Sequence, residues 1–394
     1  MRDQDIVIVS AARTPIGKFQ GAYNNLSATA LGAAAVRAAV ARAGVEGALV
    51  DECILGNVVG AGLGQAPARQ AAIGAGVPAS VPATTVNKMC GSGMKAVMIG
   101  ADQIRAGNAA AVLAGGLESM TNAPYLLLKA RSGYRMGHGE LHDHMFYDGL
   151  QSPWDGKAMG CFADVTSAKY GYSRADQDAF AAESVRRAQR AVRDGDFAAE
   201  IAHAVVKTRK GEQTLAQDET PFMLDIEKIP TLKPAFGKDG TVTAASSSSI
   251  SDGAAALVLA ADGSDAARGR KPLARIVAWA SHAQAPEWFT TAPGPAIQKT
   301  LDRAGWRVAD VDLFEINEAF ACVAMAAMTD LGLDPARVNV NGGACALGHP
   351  VGATGARLMV TLVHALRRRG LRRGIASQCI GGGEATAIAV EIVG

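Results

Sequence analysis

Three segments of this 394-residue chain set a reactive side chain among glycines, and a fourth sets an asparagine at a strand end. The first is Asn87-Lys88-Met89-Cys90-Gly91-Ser92-Gly93-Met94-Lys95-Ala96, where a strand runs out and a helix begins. A thiol at that junction faces the positive end of a helix dipole, which favours thiolate and predicts a pKa below the free value of about 8.5. Gly91 and Gly93 leave room for a substrate beside the sulfur. Cys90 is therefore a candidate nucleophile, the other reading being a small buried cysteine at a tight turn. In Asn341-Gly342-Gly343-Ala344-Cys345-Ala346-Leu347-Gly348-His349-Pro350-Val351-Gly352-Ala353-Thr354-Gly355, His349 sits between Gly348 and Pro350. It is placed either to exchange protons with a thiol or to bond backbone as a turn histidine.

In Cys379-Ile380-Gly381-Gly382-Gly383-Glu384, successive glycines expose backbone N–H groups suited to an oxyanion. Cys379 is a second functional thiol or a core filler. Asn317, in Asn317-Glu318-Ala319-Phe320-Ala321, holds a water or an oxyanion, or is a plain helix cap. Two other patterns carry less. His138, His142 and His144 lie in a charged glycine-rich loop with no regular element to fix metal geometry, so no metal site is expected. Gly60, Gly62 and Gly64 lack the spacing of a dinucleotide loop.

The elements that must position these groups alternate. Ile6–Ser10 is a β-branched run fit for a strand buried on both faces. Ser27 caps a helix over 28–43 that stops at Gly44. Strands are expected at 53–59, 83–86 and 109–114, with a helix at 94–106. From about Ser119 to Ile250 charges, Pro, Gly and His cluster. That stretch reads as a loop-rich insertion with one long helix, begun by the capping box Ser173-Arg174-Ala175-Asp176 and ending near Gly195. From Leu273 the alternation resumes, with strands at 274–279, 313–316, 338–340, 375–378 and 385–393. Helices fall at 296–303, 319–331 and 353–368. The second half echoes the first, as two copies of one α/β unit would. All four reactive segments then fall where strands end and helices begin, the usual ligand end of an α/β sheet.

Composition agrees. Hydrophobic content is 49% and aromatic content 5%, with 45 glycines, as suits close-packed layers. Lys and Arg total 39 against 37 Asp and Glu, so no global field recruits nucleic acid or a membrane. The basic run Leu366–Arg373 reads as a solvated helix end. Six cysteines without a C-x-x-C pair imply a reducing, cytoplasmic setting. Residues 1–9 lack a signal peptide's apolar stretch, and the longest apolar run, Ala319–Met328, is too short to span a bilayer. A soluble protein is expected.

Taken together the motifs resemble the thiolase family. The Cys90 segment, the NEAFA at Asn317, the GGACALGHPVGATGAR at Gly342 and the CIGGG at Cys379 are similar to its signatures. So, in the family's order, are Ser10–Pro15, Gly115–Met120 and Ser251–Ala255. The likeness covers nearly the whole chain and is greatest to the biosynthetic branch. It implies duplicated α/β halves in a layered αβαβα core. An N-terminal half would take 1–118 plus about 245–268, an insertion over the coenzyme A (CoA) site 119–244, and a C-terminal half 269–394.

The resemblance further implies acetyl-CoA C-acetyltransferase activity, condensing two acetyl-CoA to acetoacetyl-CoA and CoA and reversing by thiolysis. Cys90 would carry the acetyl group, with His349 as its base. Cys379 would protonate departing CoA and then deprotonate the second acetyl-CoA. Backbone N–H groups of Cys90 and Gly381 would form one oxyanion hole, and His349 with a water on Asn317 the other. Leu150, Met159, Phe236, Ala244, Ser248, Phe289 and Phe320 would line the acyl-CoA tunnel, and Lys228 would meet the nucleotide phosphates. CoA thioesters are substrates, and no cofactor is implied. A homotetramer built from tight dimers is expected. Three positions depart from the family pattern: Ala158 for histidine, Ser246 for asparagine, and Met223 for arginine. The readings left beside this one are a broader 3-ketoacyl-CoA thiolase of fatty-acid degradation, a carrier-protein condensing enzyme, and a silent scaffold.

Overall fold

The computed structural model describes residues 5–208 and 211–393. Its centre is a ten-stranded mixed sheet built from two similar halves. The first half comprises β1 (Ile6–Arg13), the short β2 (Gly17–Lys18), β3 (Glu52–Gly56), β4 (Ala83–Val86) and β5 (Ala111–Ser119). Two short hairpins follow, β6 (Tyr125–Leu126) with β7 (His142–Asp143) and β8 (Ala204–Thr208) with β9 (Gly211–Leu215). Then β10 (Ser251–Ala261) returns to the first half, and β11 (Ala274–Ala283), β12 (Leu313–Ile316), β13 (Arg373–Ile380) and β14 (Glu384–Glu391) form the second. Strand order is β12-β13-β14-β11-β1-β10-β5-β3-β4, with β2 beside β10.

Pairing repeats between the halves. β3 runs parallel to β4 and β5, as β12 does to β13, and the remaining pairs are antiparallel. The halves join where Ile6–Ile8 pairs antiparallel with Ala274–Ile276. The counterpart of β4 is a single bridge, Val338 against Phe314, in place of the expected strand at 338–340.

Helices fill the layers. Ala255, Leu257 and Leu259 of β10 pack with α3 (Ser92–Arg105) and α9 (Val351–Arg368), between the two sheet halves. Ala254, Ala256, Val258 and Ala260 face α1 (Ala28–Ala43) and α2 (Pro67–Gly74) on the opposite side. Beyond the second half lie α6 (Pro293–Ala304) and α7 (Ala321–Leu331). The result is five layers, αβαβα. β10 escapes pattern reading because its alanines have poor strand propensity; burial on both faces keeps it extended.

Other differences have local causes. The strand expected to reach Val59 stops at Gly56, because the N–H groups of Val58 and Val59 turn to the Glu118 carboxylate. Among the described residues the insertion holds two α-helices, not one: α4 (Met159–Tyr170) precedes α5 (Arg174–Arg193). α4 begins at Ala158, which makes no side-chain cap bond, so the usual start signal is missing. α2 begins after Ala66 in the left-handed region, again without a side-chain cap. A one-turn helix, α8 (Ala344–Leu347), precedes the His349 loop. Among the described residues no helix is long and apolar enough to cross a membrane.

Candidate active site

The Cys90 turn is tight and locally strained. Met89 has φ of 48°, a left-handed conformation that side chains seldom adopt outside functional turns. Ser92 holds it: Lys88 N–H donates to Ser92 Oγ at 2.8 Å, and Ser92 Oγ donates to the Met89 carbonyl at 2.6 Å. A Lys88–Glu384 ion pair ties the turn to the other half. A Cβ on Gly91 would strike the Ile380 side chain. A Cβ on Gly93 would come within 2.9 Å of Ala356 N, on α9. These glycines set the start of α3 directly against the start of α9 and the Cys379–Gly383 turn.

His349 is 6% exposed and its tautomer follows from its neighbours. Thr354 Oγ1 donates to the Pro350 carbonyl at 2.9 Å, which uses its only proton. It must therefore accept from His349 Nδ1–H, 2.6 Å away. Nε2 is left as a bare acceptor with no partner among the described residues. Burial, then the charge of Arg357, pushes the imidazole pKa down to about 3. His349 is thus neutral and able to accept a proton.

The backbone N–H groups of Gly381 and of Cys90 itself favour the Cys90 thiolate. Burial nevertheless pushes the thiol up to about 11. The expectation of a lowered pKa is corrected: desolvation outweighs the helix end and the two N–H groups. Cys379 is fully buried and close enough to Cys90 to feel its charge, and burial lifts its pKa well above the thiol range. Asn317, also buried, has both side-chain polar atoms unpartnered among the described residues.

One cavity of about 300 Å³ unites most of the expected residues. Cys90, His349 and Gly381 line it, with Leu150, Met159, Phe236, Ser248, Phe289 and Phe320. Its wall is a run of edge-to-face rings, Phe236–Phe320 at 5.8 Å and Phe289–Phe320 at 6.5 Å between centroids. Gly160 makes room for Phe236, whose ring a Cβ would enter. Cys379 packs behind Phe320 and Met159, and Asn317 stands back from the surface. Ala244 is exposed and does not line the cavity. Lys228 is likewise outside it, paired with Asp225 at 3.3 Å on an exposed turn. Of the three departures, Ala158 lines the cavity. Ser246 instead closes a turn, its Oγ accepting from Thr243 N–H at 2.9 Å. Met223 is exposed.

Sequence reading missed the braces. Glu118 accepts from Asn57 Nδ2, the N–H groups of Val58 and Val59, and Gly352 N–H at the start of α9. Burial still pushes its pKa up to about 8. Glu318 accepts from Ser184, Asn339 and Cys345 N–H, joining the Asn317 segment to the histidine loop. His349 N–H donates to the Ser249 carbonyl at 3.1 Å. Thr354 offered one signal: a hydroxyl five residues after the histidine, in the first turn of a helix. His144, from the histidine-rich loop, accepts from Ala61 N–H and bonds Asp148, as a structural residue would.

Comparison with known proteins places these features in context. Residues 6–263 match the thiolase N-terminal domain and residues 270–392 the thiolase C-terminal domain. An acetyl-CoA acetyltransferase of Rhizobium meliloti is 49% identical over 392 residues, 99% of this chain and 100% of its own length. Those of Pseudomonas aeruginosa and Escherichia coli are each 48% identical, over 98% of this chain and 98% and 99% of their own. The crystal structure of the Bacillus anthracis acetyl-CoA acetyltransferase superimposes with a TM-score of 0.96 at 41% identity, covering 99% of both chains.

The raised thiol pKa has a direct readout. In the unliganded protein, alkylation of Cys90 by iodoacetamide, followed on its peptide by mass spectrometry, should rise about tenfold per pH unit between pH 7 and 10. A rate already level at pH 7 would mean a preformed thiolate.

Proposed function

This chain belongs to the thiolase family, and we propose that it is an acetyl-CoA C-acetyltransferase working through acetyl-Cys90. The observation that carries the reading is the bare Nε2 of His349, left as an acceptor by the Thr354 bond to Nδ1, on a residue that lines the same cavity as Cys90.

The first half-reaction transfers the acetyl group. His349 Nε2 takes the Cys90 proton while the sulfur attacks the thioester carbonyl. The Gly381 and Cys90 N–H groups receive the developing oxyanion. Collapse expels CoA, which takes its proton from Cys379, leaving acetyl-Cys90, a Cys379 thiolate and a His349 imidazolium. The charges form together and offset one another in a dry site, so neither group need be ionised beforehand.

The second half-reaction forms the carbon–carbon bond. A thiolate as unstable as buried Cys379 is a strong base, suited to the weakly acidic methyl of a second acetyl-CoA. The enolate oxygen lies against His349 and a water held by Asn317. The carbanion attacks acetyl-Cys90, and acetoacetyl-CoA departs. The Cys90 sulfur recovers its proton from His349, and Cys379 keeps the methyl proton. The steps balance to two acetyl-CoA giving acetoacetyl-CoA and CoA, and thiolysis is their reverse. A thiol is both good nucleophile and good leaving group, so no metal or redox cofactor enters.

The cavity's volume suits acetyl and the inner pantetheine arm, with Ser248 and the phenylalanine wall beside it. The nucleotide would remain at the surface, with Lys228 the expected cation for its phosphates and Ala244 at the approach. The family likeness supports a homotetramer and the six unpaired cysteines a cytoplasmic setting; light scattering reads out the assembly, and a monomer would reject it. Cys90→Ala should abolish both directions. Cys379→Ser should slow α-proton exchange on acetyl-CoA by about 10²–10⁴-fold, and acyl transfer to Cys90 much less. Equal losses in the two half-reactions would contradict the roles assigned.

A further inference from the structure

The two N–H groups assigned to the thioester oxygen come from different halves of the chain. One belongs to Cys90, in the turn that opens α3, and the other to Gly381, in the turn between β13 and β14. Both turns use strained or permissive backbone: Met89 has φ of 48°, and Gly382 and Gly383 have φ of 98° and 88°. A run of three glycines loses more conformational freedom on being fixed than any other sequence. An oxyanion hole works only when its donors are already in place, so contacts between the turns must hold them.

An apolar and an ionic contact cross between the turns. Ile380 lies where a Cβ on Gly91 would stand, which sets how closely they approach. The Lys88 ammonium pairs with the Glu384 carboxylate, which sets how they lie sideways. Each end of the ion pair is anchored. Lys88 N–H donates to Ser92 Oγ at 2.8 Å, and the Lys88 carbonyl accepts from Gly91 N–H at 3.0 Å, so its backbone moves with the first turn of α3. Glu384 opens β14, in register with Ile380 of β13 and Ala283 of β11. Lys88 stands two residues before Cys90, and Glu384 three after Gly381. Among the described residues each is the other's one ion-pair partner, and neither lines the cavity.

We propose that Lys88 and Glu384 are positioning residues for acyl transfer, their ion pair holding the Cys90 and Gly381 N–H groups at one spacing about the thioester oxygen. The inference rests on Cys90 carrying the acyl group. The two side chains are 24% and 35% exposed, so the pair adds little to folding. Its effect is on geometry. A misplaced donor weakens charge stabilisation at the moment of attack, whereas substrate binding by the cavity wall is untouched. The loss therefore falls on the maximal rate and not on half-saturation.

The test is the rapid-mixing time course of Cys90 acetylation, read on its peptide by mass spectrometry over a range of acetyl-CoA concentrations. Lys88→Met and Glu384→Gln should each lower the maximal rate about tenfold, leave the half-saturating concentration within about twofold, and keep the thermal midpoint within a few degrees. The double variant should be no slower than either single one, because the same interaction is removed in all three. Lys88→Arg, which keeps the charge, should recover most of the rate. Unchanged single variants, losses that multiply in the double, a Lys88→Arg no faster than Lys88→Met, or a loss confined to half-saturation each overturn the positioning role. So does a rate that falls only as folded protein is lost. A loss with Lys88→Met alone would mark a direct charge effect on the oxygen, and overturns it too. An unacetylated Cys90 in the wild-type protein overturns the underlying reading instead.

Discussion

The site depends on how closely α3 approaches α9. Both helices begin at the cavity, one just after Cys90 and the other just after His349. They meet through positions that tolerate no side chain. A Cβ on Gly93 would crowd Ala356 N and one on Gly355 would collide with Met94, while on the neighbouring β5 one on Gly116 would collide with the Gly352 carbonyl. Close-packed interiors yield little, so any added atom there separates thiol from imidazole. The duplicated halves make the approach possible, since each lends its own innermost helix to the central layer.

Burial supplies the rest of the chemistry. It keeps the Cys90 thiol and the His349 imidazole both neutral, with pKa values of about 11 and about 3. A resting ion pair is thereby avoided, and charge separates only when a thioester oxygen is present to accept it from the sulfur. The cost of holding polar groups in a dry layer is met by buried carboxylates. Glu118, at the end of β5, and Glu318, just past β12, each accept backbone and side-chain donors from segments that carry or flank reactive residues. Arg357, paired with Glu315 at 2.7 Å, adds a positive charge that further disfavours imidazolium.

Much of this was legible in the residues. Capped or glycine-stopped helices such as 28–43 read true to the residue, because Ser27 and Gly44 act locally. So did the fold class and the strand-to-helix turns at Cys90 and Asn317, whereas Cys379 lies within β13 before the turn into β14 and His349 lies between α8 and α9. What was not legible depends on distant partners. β10 is extended because it is covered on both faces, a fact its alanines do not announce. α4 starts without a cap. The sign of the Cys90 shift turned on enclosure by a cavity that only the folded insertion completes. The orientation of His349 turned on Thr354, whose own proton is committed to Pro350.

Every step above requires that Cys90 be the sulfur that becomes acylated. Brief mixing with acetyl-CoA, acid quenching, and peptide mapping by mass spectrometry reads this out. An acetyl group confined to the peptide bearing Cys90, and removed by added CoA, is the predicted result. Acetyl on Cys379 or another cysteine instead, or on none of the six, would contradict it.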